Sequence, residues 1–403
     1  MFYSIYIGLT YTAYTILILL NKAGIVPRFL KHFLASRRDR PKLKSGKVKY
    51  WFHCASLGEY EMAIPLIEQC LNQCSYDEIL ITFFSPSGYN QATKGEYASR
   101  CMYLPLDLRS KVKDFYREFQ PEKAIFIRYD FWYSLIYEGL RIDTEFYLVN
   151  ARFSENHFLF KWYGKSYRKL IERFTQIFTS DQKSQTLLSR HRINSEFSGD
   201  TRFDRVESIY KKSVGLHQEI ADFKGDRKLL IVGSSWEPEE SLTLKLLQKQ
   251  YSNLAIIIAP HDLSRTDEIL DTYSAYKPEI FTKKQFGTED KLLILNTMGI
   301  LSSIYQYADI AIIGGGYSGK LHNIIEPLVQ GAYPCFGPRI EKFPEAIQAC
   351  ENEAAYAIND EIDFLKRIDT LVTNPPELEA QNELCRNYAT KHLGATHIIF
   401  SHL

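Results

Sequence analysis

The sequence lacks the features that mark several common classes. Its seven cysteines include no Cys-x-x-Cys pair, so a zinc ribbon or a dithiol redox motif has no ligand set. An odd count without paired spacing reads as reduced thiols in a cytosolic compartment. Large charge imbalance is missing too: 49 Lys and Arg face 48 Asp and Glu, a net charge of +1. Proteins that coat a polyanion are far more basic, which argues against extended nucleic-acid binding. There is no tandem repeat and no low-complexity tract. What remains is an ordinary globular mix, 45% hydrophobic and 24% charged, over 403 residues. At ~150 residues per domain this length suggests two or three domains.

Charge is also absent from the first twenty positions (MFYSIYIGLTYTAYTILILL). A cleavable signal would carry a basic start and a small-residue cleavage site; neither is present. About twenty apolar residues suffice to cross a bilayer core, and Tyr3, Tyr6, Tyr11 and Tyr14 supply interfacial rings. Residues 1–26 are therefore expected to be a membrane anchor that spans the bilayer or lies on it. Arg28, Lys31, Arg37, Arg38, Arg40, Lys42, Lys44, Lys47 and Lys49 all follow the apolar run. The positive-inside rule then puts the rest of the chain in the cytoplasm, with basic residues facing anionic lipid headgroups.

Beyond the anchor, short apolar runs alternate with helical spacing. Strands are expected at 48–53, 79–84, 124–128, 145–150 and 176–179, and again at 228–232, 254–259, 292–295 and 309–313. This is the pattern of parallel sheets with crossover helices. The polar stretch 204–224 fits a linker. The expected fold is α/β: two Rossmann-like doubly wound domains, 27–205 and 206–403, facing a central cleft. Ligand chemistry in such folds sits just after the strands.

Three such places stand out. His53-Cys54-Ala55-Ser56-Leu57-Gly58-Glu59 follows a strand and opens a helix. Glu59 there suits a general base favoured by the helix dipole; equally, Ser56 and Glu59 fit a capping box. Gly314-Gly315-Gly316-Tyr317-Ser318-Gly319-Lys320 leads into His322-Asn323-Ile324-Ile325-Glu326-Pro327. Glycines and free amides suit a phosphate. The run imitates both a dinucleotide fingerprint and a P-loop, but no acidic strand end follows and Leu321 replaces the metal-binding hydroxyl. A purely structural turn stays open. Glu326 could accept two ribose hydroxyls or be a plain surface residue. Ser234-Ser235 suits a phosphate or a helix cap. Pro260-His261 and Met298-Gly299-Ile300 end two further strands.

Taken together these pieces resemble the 3-deoxy-D-manno-octulosonic-acid (Kdo) transferases of lipopolysaccharide synthesis. The resemblance rests on the anchor, Ser56-x-Gly58-Glu59, Ser85-Pro86-Ser87-Gly88, Pro105-Leu106-Asp107, Asn150-Ala151-Arg152-Phe153-Ser154, Gly199-Asp200-Thr201-Arg202-Phe203-Asp204, Gly233-Ser234-Ser235, Asn296-Thr297-Met298-Gly299 and His322-Asn323-x-x-Glu326-Pro327. It covers nearly the whole chain. It implies a B-type glycosyltransferase with a CMP-Kdo donor, a lipid IVA-type acceptor, no metal or other cofactor, and a place at the inner membrane. It further implies Glu59 as base, with Ser56 and Gly58 toward the acceptor. Asp130 and Arg202 are candidates to stabilise the transition state. Ser234, Ser235, Pro260, His261, Met298, Gly299, Ile300, Gly315, Gly316, Ser318, Gly319, Lys320, Asn323, Ile324, Ile325 and Glu326 are expected around the donor. The chain departs from the family pattern at Arg128, where an acid is usual, at Arg202 in place of lysine, at Trp236 in place of histidine, and in the shortened Pro260-His261 turn. A UDP-sugar donor, or a tethered nucleotide-binding module without catalysis, are the alternatives.

Overall fold

The computed structural model describes residues 2–37, 43, 46–284 and 286–403, apart from the side chains of residues 28, 29, 32 and 33. Arg38, Arg40, Lys42 and Lys44 of the basic flank lie outside the described residues, as does the side chain of Arg28.

The chain divides into two units, one of residues 1–205 with 394–403 and one of residues 206–393. The first holds seven strands: Tyr50–Cys54 (β1), Ile79–Phe83 (β2), Cys101–Tyr103 (β3), Lys123–Ile127 (β4), Glu145–Ala151 (β5), Gln176–Thr179 (β6) and Glu196–Phe197 (β7). All pairs are parallel, in the order β3-β2-β1-β4-β5-β6-β7. Parallel sheets are covered on both faces, which is why β1, β2 and β4 are almost wholly apolar. The side-chain period of two then sorts them: Trp51 enters one core, Tyr50, Phe52 and Cys54 the other. The sequence reading omitted β3 and β7, which are too short to show a pattern.

The last ten residues belong with this first unit, whereas the sequence reading carried the second domain to 403. Two contacts seat them. Ile399 is buried in the same core as Phe52 and Val149. The Asp204 carboxylate accepts the Gly394 and Thr396 amides at 2.7 and 2.6 Å.

The second unit repeats the plan with Lys228–Ser235 (β8), Leu254–Pro260 (β9), Glu279–Ile280 (β10), Leu292–Ile294 (β11), Ile310–Ile313 (β12), Tyr333–Phe336 (β13) and Tyr356–Ala357 (β14). Its parallel order is β10-β11-β9-β8-β12-β13-β14. In each sheet the strand order turns around once, between β1 and β4 and between β8 and β12. At such a switch point the neighbouring crossovers leave in opposite directions and open a pocket at the strand ends.

The apolar start of the chain is a helix, Phe2–Lys22, with no buried residue. By length and composition it could cross a membrane. A short helix, Arg28–Ala35, follows. Arg37 then fastens the segment to the first unit: its Nη2 donates to the Phe84 carbonyl at 2.5 Å and its guanidinium lies 5.0 Å from the Phe84 and Tyr103 rings. Burial pushes this guanidinium down to about 10.

Candidate active site

The β1 switch-point loop runs into the helix Leu57–Cys70, with Glu59 in its first turn. The capping-box alternative is not what forms. Ser56 makes no side-chain cap bond, and the Glu59 carboxylate reaches past Ser56 to accept the Ala55 amide at 2.5 Å. Burial raises the Glu59 pKa above the ordinary carboxylate value, opposed by the Ala55 amide and by the charge of His53. A half-buried acid with a raised pKa is better matched to proton abstraction near neutrality than an exposed one. Beside it, a methyl group built at Gly58 would meet nothing of the protein within 4 Å, so this side of the helix start is open.

The motif at residues 85–88 supports that turn. The Ser85 amide donates to the Ala55 carbonyl at 2.9 Å. A Cβ at Gly88 would stand 3.0 Å from the Ser56 carbonyl carbon and 2.7 Å from Phe83. Glycine is required there because two loops touch backbone to backbone.

Across the switch point, the loop after β4 brings Asp130 toward the same place. One of its oxygens, Oδ2, accepts both His53 Nε2 at 2.8 Å and Trp132 Nε1 at 2.9 Å. Burial works against the ionised Asp130, but the hydrogen bond and charge of His53 and the Trp132 bond outweigh it and hold the carboxyl below its usual range. His53 is completely buried at the end of β1, and its Nδ1 lies 3.0 Å from the Thr82 hydroxyl on β2. The sequence reading quoted His53 within its motif without giving it a role. Its signal was available: a histidine inside an otherwise apolar parallel strand needs buried partners.

Arg128, which stands where the family pattern has an acid, adopts a left-handed backbone (φ 68) and donates its amide to Val149 at 2.8 Å. Its charge favours the ionised forms of both Glu59 and Asp200. Asp200 is buried and grips Arg202, with Nε at 3.0 Å and Nη2 at 2.7 Å from Oδ2. The loop carrying both is locked by Asn150, whose amide group donates to the Thr201 hydroxyl at 2.7 Å. That hydroxyl in turn donates to the Met62 carbonyl at 2.7 Å. So the Asn150 and Gly199–Asp204 motifs act together on the helix that carries Glu59.

In the second unit the glycine run follows β12 and the serine turn forms the end of β8. They cross so closely that a Cβ on Gly314 would lie 1.9 Å from the Ser234 carbonyl. Ser234 itself is left-handed (φ 52), at a register shift in the β8–β9 pairing. Several expected donor groups turn out to be engaged inside the protein. The Ser235 hydroxyl is buried and donates to Glu240 at 2.9 Å, and Glu240 is clamped by Arg265 at 3.1 and 2.9 Å. The Gly315 amide donates to Glu239 at 3.0 Å, and the other Glu239 oxygen takes the Trp236 amide at 3.1 Å. Glu239 is thus a buried clasp between the two loops, and burial raises its pKa. The sequence reading missed it, since Trp236-Glu237-Pro238-Glu239 looks like any acidic helix start. Ile324 and Ile325 keep their side chains in the core, 1% and 0% exposed, and can offer only backbone.

Other groups are available. The amides of Gly316, Tyr317 and Gly319 have no acceptor among the described residues, and Lys320 is exposed. The Gly315 carbonyl takes the Ser318 and Lys320 amides at 3.2 and 2.9 Å and the Ser318 hydroxyl at 3.1 Å, which closes the loop into a nest of successive N–H groups. Next to it three rings gather: Trp236 stacks on His261 with centroids 4.5 Å apart, and His322 lies tilted against His261 at 4.6 Å. Burial and the neighbouring His261 lower the His322 pKa. Just before the helix Ile325–Gln330, the Asn323 side chain accepts the Ile325 amide at 3.1 Å and donates to Glu326 at 3.0 Å. Met298, after β11, is 72% exposed, with Gly299 left-handed behind it (φ 90).

Two doubly wound units define the fold, the B-type architecture shared by glycosyltransferases and nucleotide-sugar epimerases. One carries a carboxylate cluster at its switch point and the other an amide nest. A UDP-GlcNAc 2-epimerase from Neisseria meningitidis, solved with UDP-GlcNAc, shares this architecture with a TM-score of 0.62 over 89% of this chain and 99% of its own, at 13% identity. That similarity concerns the fold alone. Residues 28–205 match the family model described as 3-Deoxy-D-manno-octulosonic-acid transferase (kdotransferase). The 3-deoxy-D-manno-octulosonic acid transferase of Aquifex aeolicus is 26% identical over 87% of this chain and 94% of its own length. That of Haemophilus influenzae is 27% identical over 81% and 79%. These similarities support the Kdo transferase family for this chain.

Proposed function

We propose that this protein transfers Kdo from CMP-Kdo to a primary hydroxyl of the acylated, phosphorylated glucosamine disaccharide that precedes lipid A, at the cytoplasmic face of the inner membrane. Glu59 takes the proton from the acceptor hydroxyl. The oxygen attacks the anomeric carbon of Kdo, the bond to the phosphate oxygen breaks, and CMP leaves with the electron pair. One base and no covalent intermediate give inversion. Charge grows on the departing phosphate, where the amides of Gly316, Tyr317 and Gly319, the Ser234 hydroxyl and Lys320 are the donors suited to hold it. Arg128 and Arg202 supply the positive charge that a sugar carboxylate requires. Glu326, steadied by Asn323, is assigned to the ribose hydroxyls, and Met298-Gly299-Ile300 and Pro260-His261 to the base.

The observation that carries this reading is the seat of Glu59: tied to a backbone amide, partly desolvated, and beside an open face. Incubating the purified chain with lipid IVA and either CMP-Kdo or UDP-sugars, with mass spectrometry of the lipid, tests it. A Kdo mass increment from CMP-Kdo alone is expected. Transfer from a UDP-sugar instead would reassign the donor.

His53 is expected to act through Asp130. His53→Leu removes the donor that orients this carboxylate and should lower kcat ~10- to 100-fold, because a buried hydrogen bond to a charge is worth about 1.5–3 kcal/mol. His53→Gln, whose amide nitrogen can reach the Nε2 position, should recover most of it, with the donor KM unchanged in both. Equal losses in the two variants would reduce His53 to a packing residue.

A further inference from the structure

Strands β12 and β13 are parallel neighbours, in register from Ile310 with Tyr333 to Ile313 with Phe336. The loops that leave them therefore start side by side. The first is the glycine run; the second begins Gly337-Pro338-Arg339. A Cβ on Gly316 would stand 2.5 Å from the Gly337 nitrogen, and one on Gly337 would stand 2.5 Å from the Tyr317 nitrogen. Two facing glycines let the backbones touch where side chains would hold them apart. Just beyond, the Arg339 amide donates to the Gly316 carbonyl at 3.0 Å, which fixes the root of the Arg339 side chain beside the amide nest. A Cβ on Gly319 would meet the Arg339 Cβ at 3.9 Å and nothing else within 4 Å beyond its chain neighbours. Arg339 thus borders the open space at Gly319.

The other arginines of the second unit are spent on the protein itself. Arg227 donates to the Phe223 and Asp290 carbonyls, Arg265 pairs with Glu240 and Glu268, Arg367 with Glu377 and Arg386 with Glu379. Arg339 is exposed, and its guanidinium has neither an ion pair nor a hydrogen bond among the described residues. The free amides of Gly316, Tyr317 and Gly319, the Lys320 ammonium and this guanidinium lie on one pair of touching loops. Positive charge gathered without a protein counter-charge suits an anion, and the planar fork of an arginine matches two oxygens of a phosphate.

We propose that Arg339 binds the phosphate of the donor nucleotide and stabilises it as it departs, its guanidinium spanning the two non-ester oxygens. This rests on the CMP-Kdo donor proposed above. In the donor the phosphate is a diester with one negative charge. As the acceptor oxygen, relieved of its proton by Glu59, bonds to the anomeric carbon, the bond from that carbon to the phosphate oxygen breaks and its electron pair stays on the oxygen. The phosphate becomes a monoester with close to two negative charges. A fixed cation at that place therefore binds the departing group more strongly than the intact donor, and its effect falls on kcat more than on donor affinity.

Calorimetric titration of the full chain with cytidine, CMP and CMP-Kdo, together with turnover, tests this on the parent, Arg339→Met and Arg339→Lys. A parent that binds no CMP removes the donor reading itself. With CMP binding established, Arg339→Met should weaken CMP ~10-fold, the size of one hydrogen bond to a charged group. It should weaken CMP-Kdo less, leave cytidine unchanged and lower kcat by about the factor lost for CMP. Arg339→Lys, which keeps the charge without the fork, should recover part of the CMP affinity. Equal CMP affinity in Arg339→Met and the parent would overturn the inference. A loss shared by cytidine would also overturn it, since the loop would then have lost its shape rather than a phosphate ligand. So would a loss seen with CMP-Kdo but not with CMP, which would give the guanidinium to the sugar carboxylate.

Discussion

Glu59→Gln is expected to lower kcat by ~10²–10⁴-fold, the usual contribution of a positioned general base. Binding of CMP-Kdo, followed by calorimetry, should be nearly unchanged, because the groups proposed to hold the nucleotide belong to the other unit. The fold should survive, since a glutamine oxygen can still accept the Ala55 amide. It should even be more stable at neutral pH. Burial raises the Glu59 pKa, so the folded state favours the neutral acid. That preference is fully present below the unfolded pKa and is lost as pH rises through the raised folded value, leaving an ionised side chain that costs stability near neutrality. A neutral isostere has no such cost, and its Tm at pH 7.5 should lie above that of the parent. The same shift sets the pH profile of the parent enzyme. The acid limb of kcat/KM should fall at a higher pH than the ~4.3 of a free glutamate, and it should disappear in the residual activity of the glutamine variant. Unchanged turnover in Glu59→Gln would end the base assignment.

The second large effect is expected at Glu326. Glu326→Ala should raise the KM for CMP-Kdo ~10- to 100-fold with little change in kcat, as when binding shared by ground and transition states is lost. Two charge-assisted bonds to ribose hydroxyls are of that size. A donor lacking the 2′-hydroxyl should lose affinity on the parent protein and lose little more on the variant. An effect confined to acceptor affinity would assign the carboxylate elsewhere.

The path from sequence to site was direct where a residue type carries its own constraint. Long apolar strands such as those around Ile125 and Ile257 announce a parallel sheet, because only a sheet covered on both faces tolerates them. Glycines at 314–316 announce a close crossing of loops. Glu59 was visible as an acid at a helix start after a strand. Its two readings could not be separated locally, because base and cap share the spacing Ser-x-x-Glu; the difference of one amide, Ala55 rather than Ser56, is a matter of backbone geometry. Ser235 shows the opposite limit. Its position in the serine turn suited a phosphate, yet five residues on Glu240 takes the hydroxyl. Glu239 holds the Gly315 amide from 76 positions away, a contact that no window along the chain can show.

The amino-acid sequence alone determined the alternation of strands and helices, the apolar first helix and the family pattern, since these depend on composition and on periods of two and 3.6 residues, which are local properties. Tertiary structure alone decided which loops share a switch point, which polar groups are consumed within the protein and which stay open, and along which side the first helix is held. Those outcomes depend on partners such as Asp107 for Tyr6 or Asp130 for His53, far apart along the chain and brought together only when strands from distant segments take their places in one sheet.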